Sequence, residues 1–312
     1  VFDWVVEEGF ADLAALHPAV ENVIPIGFRR LRKKPFEMLR SEEWKSFKQQ
    51  LRLHDYDYVI DAQSLLKSAW IARQAGRAVH GLNFSSARES LASLFYKRRY
   101  AVKKGLPAIE RIRQLFARVL GYKEEPGFPG YGIKPLSPLK VVDGKPTVFF
   151  LHGTAWKSKE WPDRYWQELA KLANNAGYRV LISGGSLAEI ARANLLADRA
   201  DDVVVLPRQE ILQLMRHISG SELVIGLDTG LSYLAVAMGL PVLTLYGPTR
   251  PEVSREMGVE HILKADFPCA PCHKRDCWYK GASTVFPACY ETIPPETVWT
   301  EAEMILSKGV KS

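Results

Sequence analysis

Three short loops in the second half of the sequence hold residues able to manage a phosphate. Gly226-Leu227-Asp228-Thr229-Gly230-Leu231-Ser232 places a carboxylate, a hydroxyl and a glycine where a strand-like run gives way to a helical one. The free N–H groups of a helix start, together with its dipole, favour a phosphate oxygen. Asp228 and Thr229 read equally well as plain helix caps. In His152-Gly153-Thr154-Ala155-Trp156-Lys157-Ser158-Lys159-Glu160-Trp161-Pro162, Lys159 is either a point charge reaching for a diphosphate or an ordinary solvated lysine. Ser183-Gly184-Gly185-Ser186 leads to Glu189, whose carboxylate suits ribose hydroxyls or simply faces water. Each loop follows a strand of one alternating series, so the three should converge on a single crevice. Neither a GxGxxG fingerprint nor a GxxxxGK(S/T) loop occurs, which weakens the dehydrogenase and NTPase readings and leaves a nucleotide-sugar site.

Two further clusters stand apart from these loops. Arg29, Arg30, Arg32, Lys33 and Lys34 form a dense basic run, followed later by Arg88, Lys97, Arg98 and Arg99, within a chain of net charge +7. Such charge calls for an anionic partner: nucleic acid, a phosphorylated small molecule or an acidic membrane surface. The basic residues are not interleaved with the aromatics that single-strand binding favours, which argues against nucleic acid. The four cysteines, Cys269, Cys272, Cys277 and Cys289, crowd into one stretch with His273 among them. That clustering suits a reducing compartment rather than a disulfide-stapled fold. Its spacing is compatible with a structural zinc knuckle; buried free thiols are the commoner outcome, and an oxidised pair is a third reading.

The elements that must position these residues alternate strand with helix. In the first half the strand-like runs are 2–6 and 56–62, with helical patterns at 9–16, 65–74 and 109–121, the last stopping at Gly121. A Pro/Gly-rich stretch over 126–138 reads as the linker. The second half repeats the rhythm: strands at 147–151, 178–183, 203–207, 222–228 and 241–247, and helices at 163–176, 187–198, 209–219 and 230–238. The expected class is therefore α/β with two doubly wound lobes. Residues 1–138 form the first lobe and 139–295 the nucleotide-sugar lobe, and an amphipathic helix over 296–312 packs back on the first. No run approaches the ~20 apolar residues that a membrane-spanning helix needs. The chain opens without an initiator methionine on a strand already under way, so a preceding segment is expected.

Taken together, VVEEGFA (5–11), VIDAQSLLKSA (59–69), ARESLASLFY (87–96), HGTAWKSKEWP (152–162), GLDTGLSYLAVA (226–237) and LYGPT (245–249) resemble the heptosyltransferases of lipopolysaccharide synthesis, nearly end to end; the first three favour the type I members. The resemblance implies a GT-B fold of two facing Rossmann-like lobes, the first lacking its first βα unit. It implies inverting transfer of heptose from ADP-heptose to the Kdo of Kdo2-lipid A, on the cytoplasmic face of the inner membrane, in peripheral contact with anionic lipid, without cofactor or metal. By motif, Thr154, Lys159, Glu189, Asp228, Thr229 and Gly230 fall on the donor site. Tyr233 stands where many members have histidine, its hydroxyl a substitute. Arg29, Arg32, Lys33, Arg88 and Arg111 fall on the acceptor side, where guanidinium geometry suits carboxylate and phosphate. The family's aspartate general base is expected upstream of Val1, leaving the chain as it stands inactive or crippled. Two rival readings are a nucleotide-sugar epimerase of the same architecture and a non-catalytic binder of anionic ligands, RNA or membrane.

Overall fold

The computed structural model describes residues 1–124, 130–139, 144–251 and 260–309. Its contacts divide the chain into two units, Val1–Gly127 and Phe128–Ser312. Sequence composition placed the linker at 126–138; its first residues, up to 129, lie outside the described residues.

The first unit begins with β1 (Phe2–Glu7), α1 (Ala11–Ala14) and β2 (Val20–Ile26), and the two strands pair in parallel. Helices α2 (Phe28–Leu31), α3 (Pro35–Arg40) and α4 (Glu42–Gln50) follow. Ser41 caps α4 by accepting from the Trp44 N–H at 3.2 Å. This seats Trp44, Phe47 and Leu51 against Ile24, Ile26, Leu31 and Met38 in a small core. A second, three-stranded parallel sheet contains β3 (Val59–Ile60), β4 (Val79–Leu82) and β5 (Arg98–Tyr100), with α5 (Leu66–Ala72) between β3 and β4. The run 56–62, expected as one strand, pairs only at Val59 and Ile60. Asp61 turns the chain there, its carboxylate accepting from the N–H groups of Gln63 and Ser64. α6 (Ala108–Leu120) closes the unit and stops at Gly121, whose φ of 76° is the left-handed cap expected of it.

The second unit is built on one six-stranded sheet. Its elements run β6 (Thr147–Leu151), α7 (Asp163–Asn175), β7 (Arg179–Ile182), α8 (Leu187–Ala197), β8 (Val203–Val205), α9 (Ile211–Ile218), β9 (Leu223–Leu227), α10 (Gly230–Ala237), β10 (Val242–Tyr246), β11 (Glu260–Lys264) and α11 (Pro295–Gly309). The strand order is β11-β10-β9-β6-β7-β8, all parallel. Every residue of β6, β9 and β10 is buried, which explains their unbroken apolar runs: a parallel strand covered on both faces has no solvent side to alternate with. The core gathers Phe150, Trp161, Trp166, Leu169, Ile225 and Leu243. Val298, Trp299, Ala302, Ile305 and Leu306 of α11 join that same core, where the helix lies along α7 and β9. The closing helix, expected to pack back on the first lobe, thus has its apolar stripe buried in the second unit's own core.

Candidate functional site

The strand order reverses between β6 and β9. From β6 the chain winds outward through β7 and β8, and from β9 it winds the other way through β10 and β11. In an open α/β sheet the loops that leave such a pair diverge to opposite faces and open a crevice at the carboxyl ends. The loop after β6 carries Lys159, and the residue after β9 is Asp228. They meet there: Lys159 Nζ lies 2.6 Å from Asp228 Oδ2 and 3.2 Å from the Asp228 carbonyl oxygen. The pair keeps only 14% and 11% of its side-chain exposure. Gly226 lets Ser232 and Leu151 pack closely against β9, since a Cβ there would come within 2.7 Å of Ser232 Oγ and 3.0 Å of Leu151 Cβ.

Asp228 is the hub of a wider network. Its Oδ2 also accepts from Thr249 Oγ1 at 2.7 Å, and its Oδ1 accepts from the Tyr233 hydroxyl. Tyr233 in turn lies 3.4 Å from the Tyr246 hydroxyl. Burial alone would raise the Asp228 pKa, but hydrogen bonds from Lys159, Tyr233 and Thr249, with the Lys159 charge, hold it below the ordinary value. Burial, then the hydrogen bond to Asp228, drive the Tyr233 phenol far above its usual range, so it remains a donor. The Lys159 ammonium also sits 4.7 Å above the Trp156 ring, an additional cation site wall.

The helix-cap reading of Asp228 and Thr229 does not describe this site. Thr229 occupies the N-cap position of α10 without a side-chain cap bond, and the described hydrogen bonds of the Asp228 carboxylate go to Lys159, Tyr233 and Thr249. The backbone of Gly230 opens the helix directly beside the ion pair. An ammonium and a helix N-terminus are thus juxtaposed, an arrangement suited to a phosphate or diphosphate.

Of the other residues expected on the donor side, Thr154 is half-buried on the β6 loop and its hydroxyl has no partner among the described residues. Glu189 does two things. One carboxylate oxygen caps α8, accepting from Gly185 N at 2.8 Å and Ser186 N at 3.1 Å, while Ser186 Oγ accepts from the Glu189 N–H in return. The other oxygen faces Gly153, where a Cβ would stand 3.0 Å away. His152, fully buried, ties the two loops together through Nε2 to the Ser183 carbonyl at 3.0 Å. Burial first, and the Arg192 charge second, push its pKa down to about 4, keeping the ring neutral.

In the first unit the basic residues separate into two kinds. Arg30 is committed, pairing with Glu43 at 2.8 Å and Glu8 at 3.0 Å. Arg32 and Lys33 are exposed and carry no ion pair among the described residues, and Arg29 stacks over the Phe10 ring at 5.8 Å. Arg88 is likewise exposed. Arg111 is different: it is half-buried and donates to the Ser86 carbonyl, so it braces the loop that carries Arg88.

The four cysteines line one small cavity with Ser158 and Pro248, as free thiols. Among the described residues, no group of three or more His, Cys, Asp or Glu side chains is arranged to hold a metal ion, so the zinc-knuckle geometry is not formed there.

Sequence reasoning did not single out Trp156, Thr249 or Tyr246. Thr249 lay inside the LYGPT motif but reaches Asp228 only because β10 neighbours β9.

Comparison with known proteins follows the same geometry. The family model described as glycosyltransferase family 9 (heptosyltransferase) matches residues 44–283. The chain is similar to lipopolysaccharide heptosyltransferase 1 of Pseudomonas aeruginosa, 44% identical with 98% of this chain and 89% of the relative aligned. It is also similar to that of Salmonella typhimurium, 42% identical over 80% of each. Among solved structures, E. coli heptosyltransferase WaaC with ADP superposes with a TM-score of 0.82 at 36% identity, covering 97% of this chain and 90% of that one. That likeness assigns the α/β, GT-B class expected from sequence.

Proposed function

Because the chain belongs to glycosyltransferase family 9, the heptosyltransferases, we propose that it moves L-glycero-D-manno-heptose from ADP-heptose to a Kdo of Kdo2-lipid A, with inversion, in lipopolysaccharide inner-core synthesis. Family membership favours this reading over an epimerase of similar architecture. The observation that carries it is the Lys159–Asp228 pair beside the start of α10 at the β6/β9 switch point.

As the bond from the sugar to the diphosphate breaks, negative charge grows on the leaving oxygen. A cation already fixed in place, and backbone N–H groups aimed by the fold, stabilise that charge more in the transition state than in the ground state. Asp228 holds Lys159 in position, and Tyr233 and Thr249 hold Asp228. We assign Glu189, at the start of α8, to the ribose and Thr154, on the loop after β6, to a phosphate oxygen. The E. coli structures carry ADP and ADP-2-deoxy-2-fluoro heptose, and the same donor class is proposed for this chain.

On the acceptor side, Arg29, Arg32, Lys33 and Arg88 offer cations to the Kdo carboxylates and lipid A phosphates, with Arg111 supporting Arg88. No described helix is long and apolar enough to cross a membrane. We assign peripheral binding at the cytoplasmic leaflet to the exposed cations, each worth about 1 kcal/mol at an anionic surface.

The test is transfer from ADP-heptose to Kdo2-lipid A, followed by mass spectrometry of the lipid. A gain of one heptose with release of ADP is expected when the chain is joined to the family's general-base segment. Consumption of ADP-heptose to an isomer without lipid modification would favour the epimerase.

A further inference from the structure

Lys159 reaches Asp228 on a long, flexible stem, so the position of its ammonium depends on how firmly its backbone is held. The backbone is held from a distant part of the chain. The Tyr290 hydroxyl donates to the Lys159 carbonyl oxygen at 2.7 Å, across a sequence separation of 131 residues. Tyr290 belongs to a short 3-10 turn, Ala288–Thr292, and is completely buried.

The same ring touches a second site loop. It lies against Gly247, immediately after β10, so closely that a Cβ there would come within 2.6 Å of Tyr290 Cζ and 2.8 Å of its hydroxyl oxygen. Two residues beyond Gly247 is Thr249, which donates to Asp228. One phenol therefore contacts both loops whose side chains converge on the Asp228 carboxylate. The surrounding segment adds backbone ties of the same kind: Ser158 N–H to the Arg275 carbonyl at 3.0 Å, and His273 N–H to the Pro248 carbonyl at 2.8 Å.

A hydroxyl sealed in an apolar core is costly unless it is hydrogen-bonded, and a phenylalanine would fill the same volume without that demand. What the oxygen adds is a fixed reference point for Lys159. We propose that Tyr290 is a positioning residue for the donor site, its hydroxyl and ring setting the register of the Lys159 loop and the Gly247–Thr249 loop on Asp228. This rests on the donor reading of the preceding section.

The test is Tyr290→Phe in the full chain, which keeps the ring on Gly247 and removes only the hydroxyl. Losing one hydrogen bond that orients a charged group should weaken ADP affinity by about fivefold to tenfold, measured by calorimetry. Donor KM should rise, kcat should fall severalfold, and acceptor KM should stay within twofold. In a Lys159→Met background the same change should alter ADP affinity by less than twofold, because the group being positioned is gone. Gly247→Ala, which displaces the phenol from the other side, should reproduce the donor-specific defect. An unchanged ADP affinity in either folded variant, or an equal loss with and without Lys159, would overturn the proposal. Wild-type chain that bound no ADP would instead overturn the donor reading, and this inference with it.

Discussion

Lys159 and Asp228 lie 2.6 Å apart although one follows β6 and the other follows β9, strands that neighbour each other only because the sheet changes winding direction between them. The pair is mostly buried, and Lys159 is placed where a helix begins, which is the ground for proposing that its charge also serves a bound diphosphate.

Replacing Lys159 with methionine should therefore reduce kcat/KM for the donor by about 10²–10³, the usual loss when one preorganised donor to a developing anion is removed. Steady-state kinetics with varied ADP-heptose would check this, and a change within threefold would remove Lys159 from the leaving-group site.

Asp228 carries a pH signature. Its folded pKa is lowered by its hydrogen bonds and by Lys159 against the opposing effect of burial. The stability it contributes is complete above the ordinary carboxylate range and is lost as pH falls through the folded value. Urea denaturation should show Asp228→Asn less stable than wild type at neutral pH, with the gap closing below about pH 4. A gap independent of pH would mean that the carboxylate charge contributes nothing.

His152 gives a second pH dependence with a separate window. Burial and Arg192 hold its folded pKa at about 4, below the ordinary value of 6.5. Above 6.5 both folded and unfolded chains carry the neutral ring; between 6.5 and 4 the unfolded chain binds more protons, so stability falls as pH falls. The loss due to this residue from pH 7 to pH 5 should be about 2 kcal/mol. In His152→Gln that segment of the stability profile should flatten, and an equally steep profile would assign the loss to other groups.

The basic residues of the first unit should separate by assay. Arg32→Gln should raise the KM for Kdo2-lipid A severalfold while leaving thermal stability within about 0.5 kcal/mol, as for an exposed substitution. Arg111→Leu removes a half-buried donor to the Ser86 carbonyl and should cost about 1–3 kcal/mol in denaturation as well. Equal stability for the two variants would refute the distinction between a contact cation and a bracing one.

These expectations trace back unevenly to the sequence. The alternating series from 147 onward was legible because each strand of a parallel sheet is a short apolar run and each covering helix an amphipathic one; β6, β9 and β10 appear where their patterns placed them. Lys159, Asp228 and Gly230 stood out because residues after such strands share one edge of the sheet whatever the details of packing. The first unit was harder to read. Its strand at Val20–Ile26, with a proline inside it, and the short β4 and β5 carry too little periodicity to announce themselves, and the expected run 56–62 narrows to the two-residue β3.

What only the tertiary structure decided is which side chains meet. Sequence spacing left Asp228 as a cap or a ligand, and Arg111 as a cation equal to Arg32. It contained no sign that Tyr290 would lie against Lys159 and Gly247. Local pattern reports the propensity of a segment and the face it buries. It is silent on hydrogen bonds between residues more than a hundred positions apart, because those depend on strand order and on the closure of every loop between them.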